Sequence, residues 1–301
     1  MKETKLFREM NISEPIMRAI EDLGFIEATE IQAKAIPVIK AGEDVIGKSQ
    51  TGTGKTLAFG IPALELVDSR QKNVQVLILC PTRELAMQAS GELKKLSKYM
   101  QGIACAEVYG GAPMERQIIQ LKKANVVVGT PGRVMDHMRR RTLKLAELRM
   151  IVLDEADEML SMGFREDIET ILAGAQSQHQ TVLFSATMPP EILRITREFQ
   201  NDPQLVEVAG EITVQHIQQL AYRIPTGRKM DALSLLLQFN NPRRTMIFTN
   251  TKRMTEEVTE ALAGFGYSAQ GLHGDMKQAQ RTKVMNDYKL GRTAILVARC
   301  V

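Results

Sequence analysis

Short apolar runs alternate with amphipathic helical stretches along nearly the whole chain, and this alternation is what most narrows the folds open to it. DVIG at 44–47 precedes a helix from about Lys55, and VQVLILC at 74–80 precedes one beginning near Arg83. NVVVGT, MIVLDEAD and TVLFSAT each end in polar residues that open the next helical segment. Continuous apolar strands between helices predict a parallel sheet covered on both faces, because a strand buried on both sides has no polar face to show. The polar residues fall at the strand C-terminal ends, where open α/β sheets bind ligands. The pattern pauses across VEVAGEITVQH, residues 206–216, and then restarts. QQLAYRI, RTMIFTN, YSAQGLH and TAILVA read as strands, with helices near 228–239, 251–264 and 276–289. The chain is therefore divided here into a first unit over 1–207, a linker over 208–214 and a second α/β unit over 215–301. Its 301 residues suit two domains.

Several classes fall away. No apolar run approaches the ~18 residues that span a bilayer, and MKETKLFREM has no apolar signal-peptide core, so a cytoplasmic protein is expected. Cys80, Cys105 and Cys300 are far apart and read as reduced thiols. Residues 1–208 carry 26 Lys+Arg against 28 Asp+Glu, while 209–301 carry 13 against 7. The basic second part suits a polyanion, as ordinary surface lysines also would. The run Arg139-Arg140-Arg141 reads as a solvated helix end.

Two stretches carry chemistry. SQTGTGKT, Ser49 to Thr56, sits between a strand and a helix, the context of a phosphate-binding loop. Gly52 and Gly54 let the backbone curl so that its N–H groups face inward, Lys55 can then reach β- and γ-phosphates, and the Thr56 hydroxyl can ligate Mg²⁺. The general pattern has Gly where Ser49 stands. IVLDEADEML delivers Asp154 and Glu155 at the end of an apolar strand, so that one carboxylate can hold a hydrated metal while the other polarises water. An acidic helix N-terminus is the bland alternative.

Through Asp154-Glu155-Ala156-Asp157 the sequence resembles the DEAD-box ATP-dependent RNA helicases, and that family's other blocks stand in order from Phe7 to about Ala298. The resemblance implies two RecA-like parallel-sheet P-loop NTPase lobes, the second incomplete, acting on ATP and Mg²⁺ and on RNA without sequence preference. It implies that Phe7 stacks on adenine and Gln32 reads its edge, in a region that includes Gly24-Phe25 and Thr29-Glu30-Ile31-Gln32, with Ala28 where Pro is usual. It makes Thr51 and Thr53 part of the nucleotide loop with Gln50, Gly52, Gly54, Lys55 and Thr56. Pro81, Thr82, Arg83, Gly110, Gly111, Thr130, Pro131, Gly132 and Arg133 would contact RNA backbone. Ser185 and Thr187, through hydroxyls hydrogen-bonded to the acidic motif, would couple nucleotide state to RNA, with Asp157 in the coupling set. In the second unit Thr249, Asn250, His273, Gly274, Gln278 and Arg281 match RNA-facing motifs.

The resemblance fails at the end. Arg299 and Cys300 stand where the family has Thr and Asp, and the family's later arginine motif, the source of γ-phosphate arginine fingers, is missing. Loss of such a finger lowers related phosphoryl-transfer rates by roughly 10³ to 10⁵. The expectation is a truncated helicase core with impaired hydrolysis and unwinding, or, as the alternative, an ATP- and RNA-binding module with little or no hydrolysis. A P-loop kinase or transporter ATPase would leave Gln32, Pro81 to Leu85 and Ser185 to Thr187 without roles.

Overall fold

The computed structural model describes residues 5–50, 52–175, 178–208 and 218–299. The chain divides into two compact units, Met1–Thr213 and Val214–Val301. The first opens with β1 (Lys5–Leu6), α1 (Glu14–Asp22) and β2 (Glu27–Ala28), the two short strands pairing antiparallel. There follow α2 (Glu30–Lys40), β3 (Val45–Lys48), α3 (Lys55–Leu66), β4 (Val76–Leu79), α4 (Arg83–Leu96) and β5 (Cys105–Val108). Next come α5 (Met114–Leu121), β6 (Val126–Gly129), α6 (Pro131–Arg139), β7 (Met150–Leu153) and α7 (Ala156–Ser161). The unit closes with α8 (Arg165–Gly174), β8 (Gln180–Ser185), α9 (Pro190–Phe199) and β9 (Gln204–Glu207).

Seven of these strands form one sheet in the order β5-β6-β4-β7-β8-β3-β9, every pair parallel. Successive residues of a strand point to opposite faces, and here both faces are buried. Val76 and Ile78 join a core with Ile20, Ile36, Leu64 and Leu93 from α1 to α4. Leu77 and Leu79 join a second core with Val134, Met159, Ile168 and Ile192 from α6 to α9. That double covering is why these strands carry no polar alternation. Gly47 on β3 is required by the close packing of its neighbour β8: a Cβ there would lie 2.2 Å from the Phe184 ring.

The second unit contains α10 (Lys229–Asn240), β10 (Thr245–Thr249), α11 (Lys252–Gly264), β11 (Ala269–Leu272), α12 (Gln278–Lys289) and β12 (Ile295–Arg299). Its three strands are parallel in the order β10-β12-β11. One face buries Leu237, Val258, Leu262, Ile295 and Val297, and the other only Val284, Tyr288 and Leu296. On the outer strand β10, Met246 and Phe248 are exposed.

Two expectations need comment. QQLAYRI, residues 218–224, is not a strand. Its Leu220, Tyr222 and Ile224 alternate as a strand would, but strand pairing needs a neighbour, and none of the described strands takes it up. The expected linker over 208–214 lies, apart from Val208, outside the described residues, as do Thr51 and Cys300.

Candidate functional site

The loop from Ser49 to Lys55 joins β3 to α3 at the C-terminal edge of the sheet. Gly52 and Gly54 take φ of 79° and 88°, left-handed values open to glycine at little cost. Ser49, which replaces the usual glycine, is buried. Its N–H donates to the Ser185 carbonyl at 3.1 Å, and its hydroxyl accepts from Thr53 at 3.2 Å. Thr53 also donates to the Gln50 carbonyl at 2.9 Å, so the loop is braced from inside. Lys55 opens α3 and is only 6% exposed, yet its ammonium has no hydrogen-bond partner. Thr56 follows it in the first turn of α3.

Asp154 comes to the same edge from the end of β7. It is 8% exposed, its Oδ1 has no partner, and burial pushes its pKa up to about 6 against the pull of Lys55. A buried ammonium and a buried carboxylate oxygen, both orphaned, are costly unless a ligand satisfies them. Phosphate oxygens and a hydrated cation would satisfy both. One carboxylate and one hydroxyl suit Mg²⁺, which keeps most of its shell as water and substrate phosphate. Glu155 caps α7 with φ of 53°, a left-handed value uncommon for a residue with a Cβ, and burial raises its pKa as well.

Gln32 lies on α2 and is buried. Its Oε1 accepts from the Thr29 N–H at 2.9 Å and its Nε2 donates to the Gly54 carbonyl at 2.9 Å. A Cβ on Gly54 would lie 2.4 Å from that Nε2, so the glycine makes room for the amide. An amide keeps one further donor and acceptor position beyond these two bonds. Gln32 lines a cavity of about 380 Å³ beside the loop, shared with Phe7, Phe25, Thr29 and Gly54. Phe7 is 1% exposed and Phe25 45% exposed, and both line this cavity.

Asp157 accepts from the Thr187 N–H at 2.9 Å and from the Thr187 hydroxyl at 2.7 Å, while the Ser185 hydroxyl donates to the Thr187 carbonyl at 2.7 Å. Burial alone would raise the Asp157 pKa, but the two Thr187 bonds hold it below its ordinary value. Pro81 lies just beyond β4, and Thr82 caps α4 by accepting from Leu85 at 3.3 Å. The Arg83 guanidinium lies over Gly110 and Gly111, where a Cβ on Gly111 would be 2.2 Å from it. Thr130 and Pro131 start α6, and above Gly132 the nearest group to a Cβ is the Asp167 carboxylate at 3.6 Å. Arg133 is largely covered and donates to the Ala112 carbonyl at 3.3 Å.

In the second unit Thr249 is buried and shares a 2.7 Å hydrogen bond with the Thr255 hydroxyl, while Asn250 is exposed beside it. His273 lies 3.4 Å from Glu256. Gly274 sits between it and Asp275, which pairs with Lys252. Gln278 opens α12 with Arg281 one turn on, and Arg299 ends β12 exposed, close enough to lower the Asp275 pKa after the larger effect of Lys252. All these residues lie at the C-terminal edge of that sheet.

The family model described as DEAD/DEAH box helicase matches residues 29–195, more than half of the chain. The chain belongs to the DEAD/DEAH box helicase family. A second model, the helicase conserved C-terminal domain, matches 228–301. The DEAD-box ATP-dependent RNA helicase CshA of Geobacillus kaustophilus is 50% identical over 97% of this chain and 63% of its own. That of Bacillus cereus (strain ATCC 10987 / NRS 248) is 47% identical over 97% of this chain and 56% of its own. The chain thus spans 56% to 63% of the length of these relatives. Among solved structures, S. cerevisiae Dbp5 bound to RNA and ADP BeF3 aligns with a TM-score of 0.88 at 29% identity, covering 98% of this chain and 76% of Dbp5. A DEAD box protein from Methanococcus jannaschii gives 0.66 at 38% identity, covering 98% and 80%. The two RecA-like domains of such helicases correspond to the parallel-sheet units here, the second with a short three-stranded sheet. No described helix is long and apolar enough to cross a membrane.

Proposed function

We propose that this chain is an ATP-dependent RNA helicase core, in which residues 1–207 bind ATP and RNA and 215–301 supply part of a second RNA-facing lobe. The observation that carries the reading is the pair of orphaned buried groups, Lys55 Nζ and Asp154 Oδ1, behind a left-handed glycine loop. The adenine lies in the Phe7–Phe25–Gln32 cavity, its edge on the free positions of the Gln32 amide. N–H groups of the glycine loop and the Lys55 ammonium hold the β- and γ-phosphates. Thr56 and Asp154 would hold Mg²⁺, which would supply positive charge against the phosphates. Glu155 orients the attacking water and accepts its proton, a task helped by the burial that raises its pKa. Thr82, Arg83, Gly110, Gly111 and the start of α6 engage RNA phosphate and sugar without reading bases. The Asp157–Thr187 bonds tie the Glu155 segment to the end of β8 and so couple the two ligands.

The test is phosphate release by the purified chain with and without RNA, for the parent and Glu155→Gln. RNA-stimulated release, lost in the variant with ATP affinity retained, is expected. Binding of both ligands with no release above the variant's would instead identify an ATP- and RNA-binding module. Failure to bind ATP would end the reading.

A further inference from the structure

The elements above lie at the C-terminal ends of the strands, and the opposite edge of the first sheet carries something they do not use. Segments leading into three strands meet there: Lys72 and Asn73 ahead of β4, Lys122 ahead of β6, and Arg141 to Glu147 ahead of β7. They surround a hollow of about 340 Å³. Four of its side chains are cationic, Lys72, Lys122, Arg141 and Lys144, against one carboxylate, Glu147. All four are exposed, and among the described residues none makes an ion pair. Elsewhere in this unit Arg8, Lys34, Lys48 and Lys98 each pair with a carboxylate. Residues 1–208 hold more acidic than basic groups, so four uncompensated cations at one hollow are a local excess.

The turn that presents Arg141 is fixed. Arg141 takes φ of 57° directly after the α6 cap, and the Thr142 hydroxyl bonds the His137 carbonyl at 3.1 Å and lies 2.8 Å from the buried His137 ring. Complementing the carboxyl-terminal ends of α5 and α6 accounts for Lys122 and for Arg139 and Arg140. It does not account for Lys72 or Lys144, which lie on loops, or for their convergence.

We propose that this hollow is a second RNA-phosphate site, on the edge of the first unit remote from the phosphate loop. The inference rests on the reading that the chain engages RNA, and extends it to a strand that runs beyond the motif-bearing edge. The chemistry favours a phosphodiester strand over a compact phosphorylated molecule. The donors are flexible, solvated side-chain ends, and none of the buried polar atoms lacking a partner belongs to the lining. A compact ligand needs fixed, convergent donors, whereas a strand held by counterion release needs only charge density.

The experiment compares the 301-residue chain with a quadruple variant, Lys72→Gln, Lys122→Gln, Arg141→Gln and Lys144→Gln, by anisotropy of fluorescein-labelled U30 from 50 to 200 mM salt. A control removes equal charge at paired positions: Arg8→Gln, Lys34→Gln, Lys98→Gln and Arg194→Gln. Unchanged binding of a fluorescent ATP analogue shows that each variant is folded. At about 0.7 per phosphate contact, the salt slope of the first variant is expected to be shallower by up to about 3, with affinity at 50 mM lower by about tenfold or more. The control is expected to match the parent. Equal slopes in all three, or equal losses in both variants, would overturn the site while leaving RNA binding itself intact. Loss of inorganic tripolyphosphate binding with U30 unaffected would overturn it in favour of a small-anion site. A parent chain that does not bind U30 would bring down the RNA reading and this inference together.

Discussion

Burial pushes the Asp154 pKa up to about 6 in the ligand-free protein, so nucleotide binding through a cation held as proposed should be sensitive to pH where an ordinary aspartate would be indifferent. With that pKa the carboxylate is about nine-tenths ionised at pH 7 and about one-tenth at pH 5. Holding a cation requires the ionised form, so this residue alone lowers Mg²⁺-dependent affinity about tenfold across those two units. An aspartate at 3.8 would lose almost nothing over the same range. The assay is titration with a fluorescent ATP analogue and Mg²⁺ between pH 5 and 7, on the parent and on Asp154→Asn. The nucleotide's own phosphates titrate in this range, and the variant reports their share. The sign for stability is also determined. Because the folded pKa is raised, the ligand-free fold binds more protons than the unfolded chain between about pH 4 and 6. Its stability therefore falls as pH rises through that window, by about 3 kcal/mol at most, and the deficit is complete above the folded pKa. Urea unfolding should show this fall in the parent and a flatter profile in Asp154→Asn. Parallel profiles in both assays would refute the argument that burial dominates at this carboxylate.

Lys55→Ala should abolish ATP binding in a calorimetric titration with little change in melting temperature, since the ammonium it removes has no bond to lose; equal binding by variant and parent would contradict the assignment. Gly54→Ala combines a left-handed φ with a Cβ 2.4 Å from Gln32 Nε2, so it should weaken nucleotide affinity about tenfold or more and lower stability by about 1–3 kcal/mol, read by titration and urea unfolding. Amide hydrogen exchange should be faster in β10 to β12 than in the central strands of the first unit, because the second unit's two small cores leave Met246, Phe248 and Phe239 to solvent. Uniform protection would show that burial is a poor guide here.

The first sheet was legible because both of its faces are covered: Val76–Leu79, Val126–Gly129 and Met150–Leu153 are apolar throughout and end in polar turns. β9 was harder to see, since only Val206 of its four residues is buried and the rest read as loop. The short β1–β2 pair left no periodicity to find. QQLAYRI misled in the other direction, because alternation can be read from a sequence and the presence of a partner strand cannot. At the site, the residue types of the phosphate loop and the acidic strand end were visible in order. What they do to one another was not. That Arg83 fills the space over Gly111, that Arg133 turns back to Ala112, and that the Gln32 amide faces Gly54 are facts of distance between segments far apart in the chain.

For a nucleotide bound as proposed, the two bonds of Gln32 would join base selection and phosphate grip in a single mechanical unit. A purine presenting the wrong edge can satisfy itself only by drawing the amide away from Thr29 or Gly54. The second movement loosens the backbone that would cradle the phosphates, at the carbonyl directly before Lys55, and the first frees the N–H of Thr29 ahead of α2. An error at the base is thus felt about a nucleotide's length away, at the reacting end, with no message needing to pass through the second unit. Fidelity in such a site belongs to turnover as much as to affinity: the wrong nucleotide can be held and still be held badly.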